Sequence, residues 1–201
     1  MKNRLLCLLS FFLIFTFIAC ASTTLTKVWK NPDLQAVTIK KMMVIGVAKE
    51  PAKRQFFEDE LAKSLSAHGV SIIKSYTVMT LDELKDKQSA AEKIRSLGAD
   101  AVLATRLIDK KVIQVYNPPT YYTYNVPATP YGLWGGYYDS EEVAKLETNI
   151  YDVKTAKVIW SALSDSWIDS GTVQNYVFLD FIGVVVDRMT KDGIIPAIEK
   201  K

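Results

Sequence analysis

The sequence predicts an α/β fold: a single domain on a mixed sheet of about five strands, three parallel through strand-helix-strand units and two in an antiparallel hairpin, packed by helices. Three observations carry this. The run Met42 to Ala48 is apolar and lies between charged Lys41 and Lys49, as in a strand buried on both faces. Helix-period and extended segments then alternate at short spacing as far as Leu107. Two extended runs, Val143 to Tyr151 and Lys157 to Trp167, flank the polar connection Asp152 to Ala156, which is of hairpin length.

The elements follow in chain order. Pro51 suits the first turn of a helix, Phe57, Leu61 and Leu65 recur every four residues, and Gly69 can close the helix in a left-handed cap. Val70 to Tyr76 reads as the second strand. Thr80 with Glu83 has capping-box spacing over a short helical stretch, Leu81 to Lys85, and a further stretch from Ser89 to Leu97 stops at Gly98. Ala101 to Leu107 is the third strand, with a possible extension to Tyr116. Asn175 to Lys191 contains the β-branched run Val184 to Val186. Its Asp180, Asp187 and Lys191 nevertheless fall on one helical stripe, and the spacing predicts a helix that covers the core. The predicted organisation is a signal over 1–19, a tether over 20–41 and one domain over 42–201 with an insertion at 117–138; Trp29 in the tether is expected to pack on the domain edge.

Composition bounds the function. The chain has 201 residues, 49% hydrophobic and 23% charged, with 25 basic and 22 acidic side chains, so it is an ordinary globular protein. A net charge of +3 with one His is too little basicity for a nucleic-acid binder. Two Cys and one His fall short of a zinc or iron-sulfur ligand set, so neither a metal nor another cofactor is expected.

At the amino terminus Lys2 and Arg4 precede a nearly unbroken apolar run, Leu5 to Ile18, and Phe17-Ile18-Ala19-Cys20 ends with a small residue before Cys. The run is shorter than the roughly 20 residues that span a bilayer. Its last four residues resemble the lipobox of bacterial lipoproteins, with Phe17 in place of the usual Leu. That resemblance implies diacylglycerol on the Cys20 sulfur, cleavage before Cys20 and acylation of the new amine. Two or more chains hold a protein on a bilayer. Cys7 has no apolar segment before it and leaves with the signal, so Cys20 would be the mature chain's single Cys and no internal disulfide can form. Ala21 after the Cys, by resemblance to enterobacterial sorting, favours the periplasmic face of the outer membrane.

The segment 117–138 has no charged residue and holds six of the ten Tyr, four of the seven Pro and three of the nine Gly. Its prolines disfavour regular structure. Tyr121, Tyr122, Tyr124, Tyr131, Trp134, Tyr137 and Tyr138 are therefore the candidate binding residues: stiff, amphipathic rings suit recognition at low entropy cost. A protein groove, a glycan whose ring faces stack on aromatics, or simple covering of a sheet edge all fit. Gly132, Gly135 and Gly136 lack the Lys-Ser/Thr and the strand-to-helix junction of a phosphate loop, so no nucleotide is expected.

No catalytic residue is assigned. His68 sits at a helix end with no nucleophile pattern to serve. Arg54 and Glu58, one turn apart, read as a surface ion pair; Asp82, Glu83, Asp86 and Lys87 as a solvated face; Asp100 as a turn residue.

Several phrases together carry a family resemblance: Trp29-Lys30-Asn31-Pro32, Arg54 with Glu58-Asp59, Leu97 to Val102, and Tyr151 to Ser161. They resemble a group of small bacterial envelope lipoproteins, and more faintly the amino-terminal domain of the Tol translocation protein and the curli-secretion pore lipoprotein. The resemblance implies a binding or assembly module with no active site to transfer. The expectation is therefore a lipid-anchored periplasmic module that docks an envelope protein through its aromatic loop, with peptidoglycan or another glycan as the alternative ligand and an envelope enzyme as the weaker one. The anchor has a direct test: Cys20→Ser is expected to abolish fatty-acid labelling and release the protein from membranes, and labelling that persists would refute it.

Overall fold

In the computed structural model, residues 22–32, 39–118, 137–168 and 174–198 are described. Six strands form one mixed sheet in the order β1-β6-β5-β4-β2-β3: β1 (Thr23–Lys30), β2 (Lys41–Val47), β3 (Ser71–Lys74), β4 (Ala101–Asn117), β5 (Tyr137–Asp152) and β6 (Val158–Ile168). The helices among the described residues are α1 (Pro51–Ser66), α2 (Lys87–Ser96) and α3 (Gln174–Lys191). β2 pairs in parallel with β3 and β4, and every other neighbouring pair is antiparallel.

β2 is buried on both faces because helices cover both. Met42 and Val44 point into a core with Phe57, Leu61 and Leu65 of α1, Phe181, Val185 and Met189 of α3, and Ile150 and Trp160. Met43 and Ile45, on the opposite face, pack with Ala90 and Ile94 of α2. α1 and α3 thus share one side of the sheet and α2 takes the other. Trp160, fully buried, donates its indole N–H to Asp192 at 2.8 Å, which the guanidinium of Arg188 also contacts at 3.0 Å.

The stretch 20–41, expected as a tether, instead contributes the sixth strand. β1 pairs with β6 from Thr23 opposite Ser166 to Lys30 opposite Trp160. A register shift between Leu25 and Lys27 explains why the pattern hid it. Leu25 and Val28 both pack against the core although they are three residues apart, which is not strand spacing. Trp29 lies in this edge strand, 45% exposed.

The expected second strand, Val70 to Tyr76, is shortened to β3 and a 3-10 turn, Ser75–Thr77, because a buried carboxylate captures the chain there. Glu58 is fully buried. Its Oε1 accepts from Gly46 N at 3.0 Å, Arg54 Nε at 3.0 Å and Ser75 Oγ at 2.7 Å, and its Oε2 from Tyr76 N at 2.9 Å. Arg54 Nη2 donates to Ser75 Oγ and to the Met79 carbonyl. The surface pair expected of Arg54 and Glu58 is thus a buried pin that joins α1 to the end of β2 and to the turn after β3. Gly46 permits the close approach: a Cβ there would meet the Phe57 ring at 2.8 Å.

Thr80 and Glu83 make both capping-box bonds, Glu83 N to Thr80 Oγ1 at 3.2 Å and Thr80 N to Glu83 Oε2 at 2.7 Å, over a 3-10 turn, Glu83–Lys85, in place of the expected longer helical stretch. Asp86, read as part of a solvated face, caps α2 by accepting from Gln88 N and Ser89 N. Removing one member of a buried ion pair typically costs about 3–5 kcal/mol. Glu58→Leu is accordingly expected to lower the unfolding free energy by that much, read as a lower denaturant midpoint at an unchanged slope, and a loss below about 1 kcal/mol would show that the cluster does not pin the fold.

Candidate functional site

β4 and β5 are far longer than their neighbours. β2 follows β4 only to Arg106, opposite Val47, whereas β4 and β5 remain paired to Asn117 opposite Tyr137. On the other side β6 supports β5 only from Glu142, opposite Ile168. A two-stranded ribbon therefore leaves the sheet. Among the described residues its β4 edge from Leu107 to Asn117, about 35 Å at 3.4 Å per residue, has no neighbouring strand. Over the last five residue pairs neither edge has one among the described residues.

Such a ribbon is marginal in water by itself, and a long open edge is a template for another chain. Its side chains strengthen the point, because Leu107, Ile108, Val112, Tyr116, Tyr137 and Tyr138 are all exposed, Val112 by 69% and Tyr138 by 68%. The rings of Tyr116 and Tyr138 lie 5.1 Å apart across the two strands. Directly opposed residues share a face, so Val112, Gln114, Tyr116, Tyr138 and Ser140 lie on the side of the sheet that carries α1 and α3. Ile113, Val115, Tyr137, Asp139 and Glu141 lie on the other. Lys110 pairs with Glu142 near the base, and a register shift between Leu107 and Asp109 bends the strand there. The distal edge, Val112 to Asn117, carries no charge.

Of the residues singled out in the sequence, Tyr137 and Tyr138 stand at the ribbon's distal end. Tyr121, Tyr122, Tyr124, Tyr131, Trp134 and Cys20 lie outside the described residues. Val112 and Tyr116 were missed as site residues. Their signal is the β-branched and aromatic run Val112-Ile113-Gln114-Val115-Tyr116, into which the third strand extends. The loop excursion expected from Asn117 to Tyr138 begins and ends in regular strand.

The other candidates have local duties. His68 Nδ1 lies 2.8 Å from the Pro196 carbonyl and ties the segment after α3 to the end of α1. Asp100 accepts from the backbone N–H groups of Lys40 and Lys41 at 3.0 and 2.9 Å, fixing the start of β2 beside β4. The titratable groups that move are paired surface residues. Glu83 is held at about 2, first by the Thr80 backbone N–H and then by Lys93. Asp59 is lowered chiefly by its hydrogen bond from Lys74. Phe56, Glu60, Lys63, Asn175, Tyr176 and Leu179 line an open groove of about 410 Å³ between α1 and α3, and neither Asp59 nor Glu83 is in it. Among the described residues no group of three or more His, Cys, Asp and Glu could hold a metal ion, and no helix is long and apolar enough to cross a membrane.

No family model and no curated protein matches the sequence. Among solved structures, the chain is similar to a PelC dodecamer from Paraburkholderia phytofirmans at 20% identity and a TM-score of 0.48, over 82% of this chain and 95% of that one. It is similar to lipoprotein GNA1162 from Neisseria meningitidis at 15% identity and a TM-score of 0.43, over 75% and 98%. Protein XCC0632 from Xanthomonas campestris, of the family model DUF330, follows at 11% identity and a TM-score of 0.37, over 83% and 88%. None of these three is a Tol translocation protein or a curli-secretion pore lipoprotein, and that fainter resemblance rests on the sequence alone.

The rings of Tyr116 and Tyr138 are more than half exposed, so their loss is expected to cost little. Tyr116→Ser combined with Tyr138→Ser should stay within about 1 kcal/mol of the parent in thermal unfolding. A fall of many degrees would mean that the rings cover the sheet.

Proposed function

We propose that this chain is a binding and assembly module of the bacterial envelope, held at the periplasmic face of the outer membrane by acyl chains on Cys20, and that it takes a protein partner on the free part of the β4–β5 ribbon. The open ribbon carries the reading: from Val112 to Asn117 it offers an uncharged strand edge, and the sequence that follows is rich in aromatic residues. A strand added to that edge gains ladder hydrogen bonds worth about 1 kcal/mol each, and each aromatic ring covered in the complex adds about 1.5–3 kcal/mol. The ladder fixes register, and any ring the partner covers adds to affinity. The lipobox-like segment supplies the envelope address, and attachment with recognition is the proposed activity in place of bond breaking.

A photo-crosslinking side chain at Ile113, Val115 or Tyr137 in living cells tests this, with Lys154 in the β5–β6 turn as the control position. Adducts to one envelope protein from the ribbon positions and none from Lys154 are expected. Adducts to peptidoglycan alone would replace the protein partner with a glycan, and no adduct from any ribbon position would overturn the proposal.

A further inference from the structure

The exposed apolar side chains are gathered at one end of the molecule. Besides the six on the ribbon, Val47, Trp167, Tyr176 and Leu179 are exposed, and among the described residues only Trp29 and Ile198 are large, apolar and exposed elsewhere. Val47 ends β2 where the ribbon departs, Trp167 lies beside the ribbon's base opposite Val143, and Tyr176 and Leu179 occupy the first turns of α3.

The amino terminus joins the sheet at this same end. Ser22 accepts a backbone hydrogen bond from Trp167 N at 2.8 Å, and its hydroxyl donates to Asp180 of α3 at 3.0 Å. Cys20 lies two residues before Ser22, so its Cα is within about 7 Å of that of Ser22 however the chain runs. An acyl anchor on Cys20 therefore draws this end of the domain, and no other, to the bilayer.

From these placements we infer that the ribbon end is a second membrane contact, seated on the headgroup layer of the bilayer that holds the Cys20 acyl chains; the inference rests on the acylation of Cys20 proposed above. The last five residue pairs of the ribbon, about 17 Å at 3.4 Å per residue, project past the sheet at the end that carries the anchor, where they can enter the hydrocarbon or lie along the surface. Asp139 and Glu141 decide between these. They carry charge with no ion-pair partner among the described residues, which is costly in hydrocarbon and harmless at its boundary. Both lie on one face of the ribbon. The opposite face, with Val112, Tyr116 and Tyr138, has Lys110 and Glu142 paired and lies on the same side of the sheet as Tyr176 and Leu179 of α3. Tyr side chains suit a headgroup layer, apolar at one end and wet at the other, and Tyr116 and Tyr138 stand on this face with Tyr176 on the same side of the sheet, while Tyr137 and Trp167 lie on the face with Asp139 and Glu141. The face with Tyr116 and Tyr138 rests on lipid, and the face with Ile113, Val115 and Asp139 stays open to a partner.

After signal removal the chain has no thiol other than that of Cys20, so one introduced cysteine takes a label uniquely. The acylated full-length product is reconstituted in vesicles of phosphatidylethanolamine and phosphatidylglycerol containing a headgroup-nitroxide lipid. It carries a fluorophore at Tyr138→Cys, Tyr176→Cys, Val115→Cys or Lys154→Cys. Labels at positions 138 and 176 are expected to lose most of their emission, and those at 115 and 154 to keep it. A protein that stays off the vesicles would overturn the anchor. Firm binding with all four labels equally bright, or with 154 quenched and 138 bright, would overturn the orientation alone and leave the anchor standing.

Discussion

A single carboxylate holds the first half of this fold in register. Glu58 accepts four hydrogen bonds from the end of β2, its own helix and the turn after β3, so three segments distant in sequence converge on two oxygen atoms. Burying a charge is costly unless every lone pair finds a donor, and here the donors are two backbone amides, a hydroxyl and a guanidinium. The arrangement works only if α1 lies close against β2, which the missing side chain at Gly46 allows. With α1 fixed, Phe57, Leu61 and Leu65 fall onto Met42 and Val44, and the parallel strands acquire their cover.

That cover is uneven, and the unevenness separates stability from function. β2 and the first half of β4 lie between α1 and α3 on one side and α2 on the other, where burial of large side chains does most to hold the domain together. The antiparallel half keeps helices on one face only. Along it the inward positions turn from Ile150 and Trp160 to paired hydroxyls, Thr105 with Thr148 and Thr23 with Ser166, as the ribbon is approached. Past Ala144, opposite Lys110, no described residue of the ribbon is buried. What continues is hydrogen-bonded backbone with exposed side chains, a region that can bind without unfolding anything beneath it.

The parallel core was legible because its signals are local: an unbroken apolar run at Met42 to Ala48, a four-residue repeat on α1, and glycines at 69 and 98, whose φ angles of +79° and +72° are those a helix stop requires. The β5–β6 hairpin was equally plain. β1 was hidden by a bulge that broke its alternation, and Glu58 by its ordinary spacing from Arg54, since one helical turn looks the same on the surface as in the core. Burial is a property of the assembled fold and leaves no mark on the pair itself. The ribbon was legible only in part. Composition drew attention to the tyrosines of 117–138, but the strands that present Tyr137 and Tyr138 are recognised as free only once the lengths of β2 and β6 are known.

An anchor and a contact surface at one end of a small domain change what affinity is needed. A protein confined to a bilayer by acyl chains meets other membrane components at an effective concentration set by its reach, and a weak second contact converts tethering into orientation. With the ribbon's tyrosine face down, the distal edge of β4 would be presented to partners in the same plane. The same edge would be a hazard in a freely diffusing protein, since an uncharged strand pairs with whatever strand it meets. Lys110 and Lys111 guard its base, where two copies could approach most easily, and leave Val112 to Asn117 unguarded. Confinement to a surface restricts the angles from which that unguarded stretch can be reached. The proposed anchor and the open edge therefore make sense together: the first would limit the encounters that make the second dangerous.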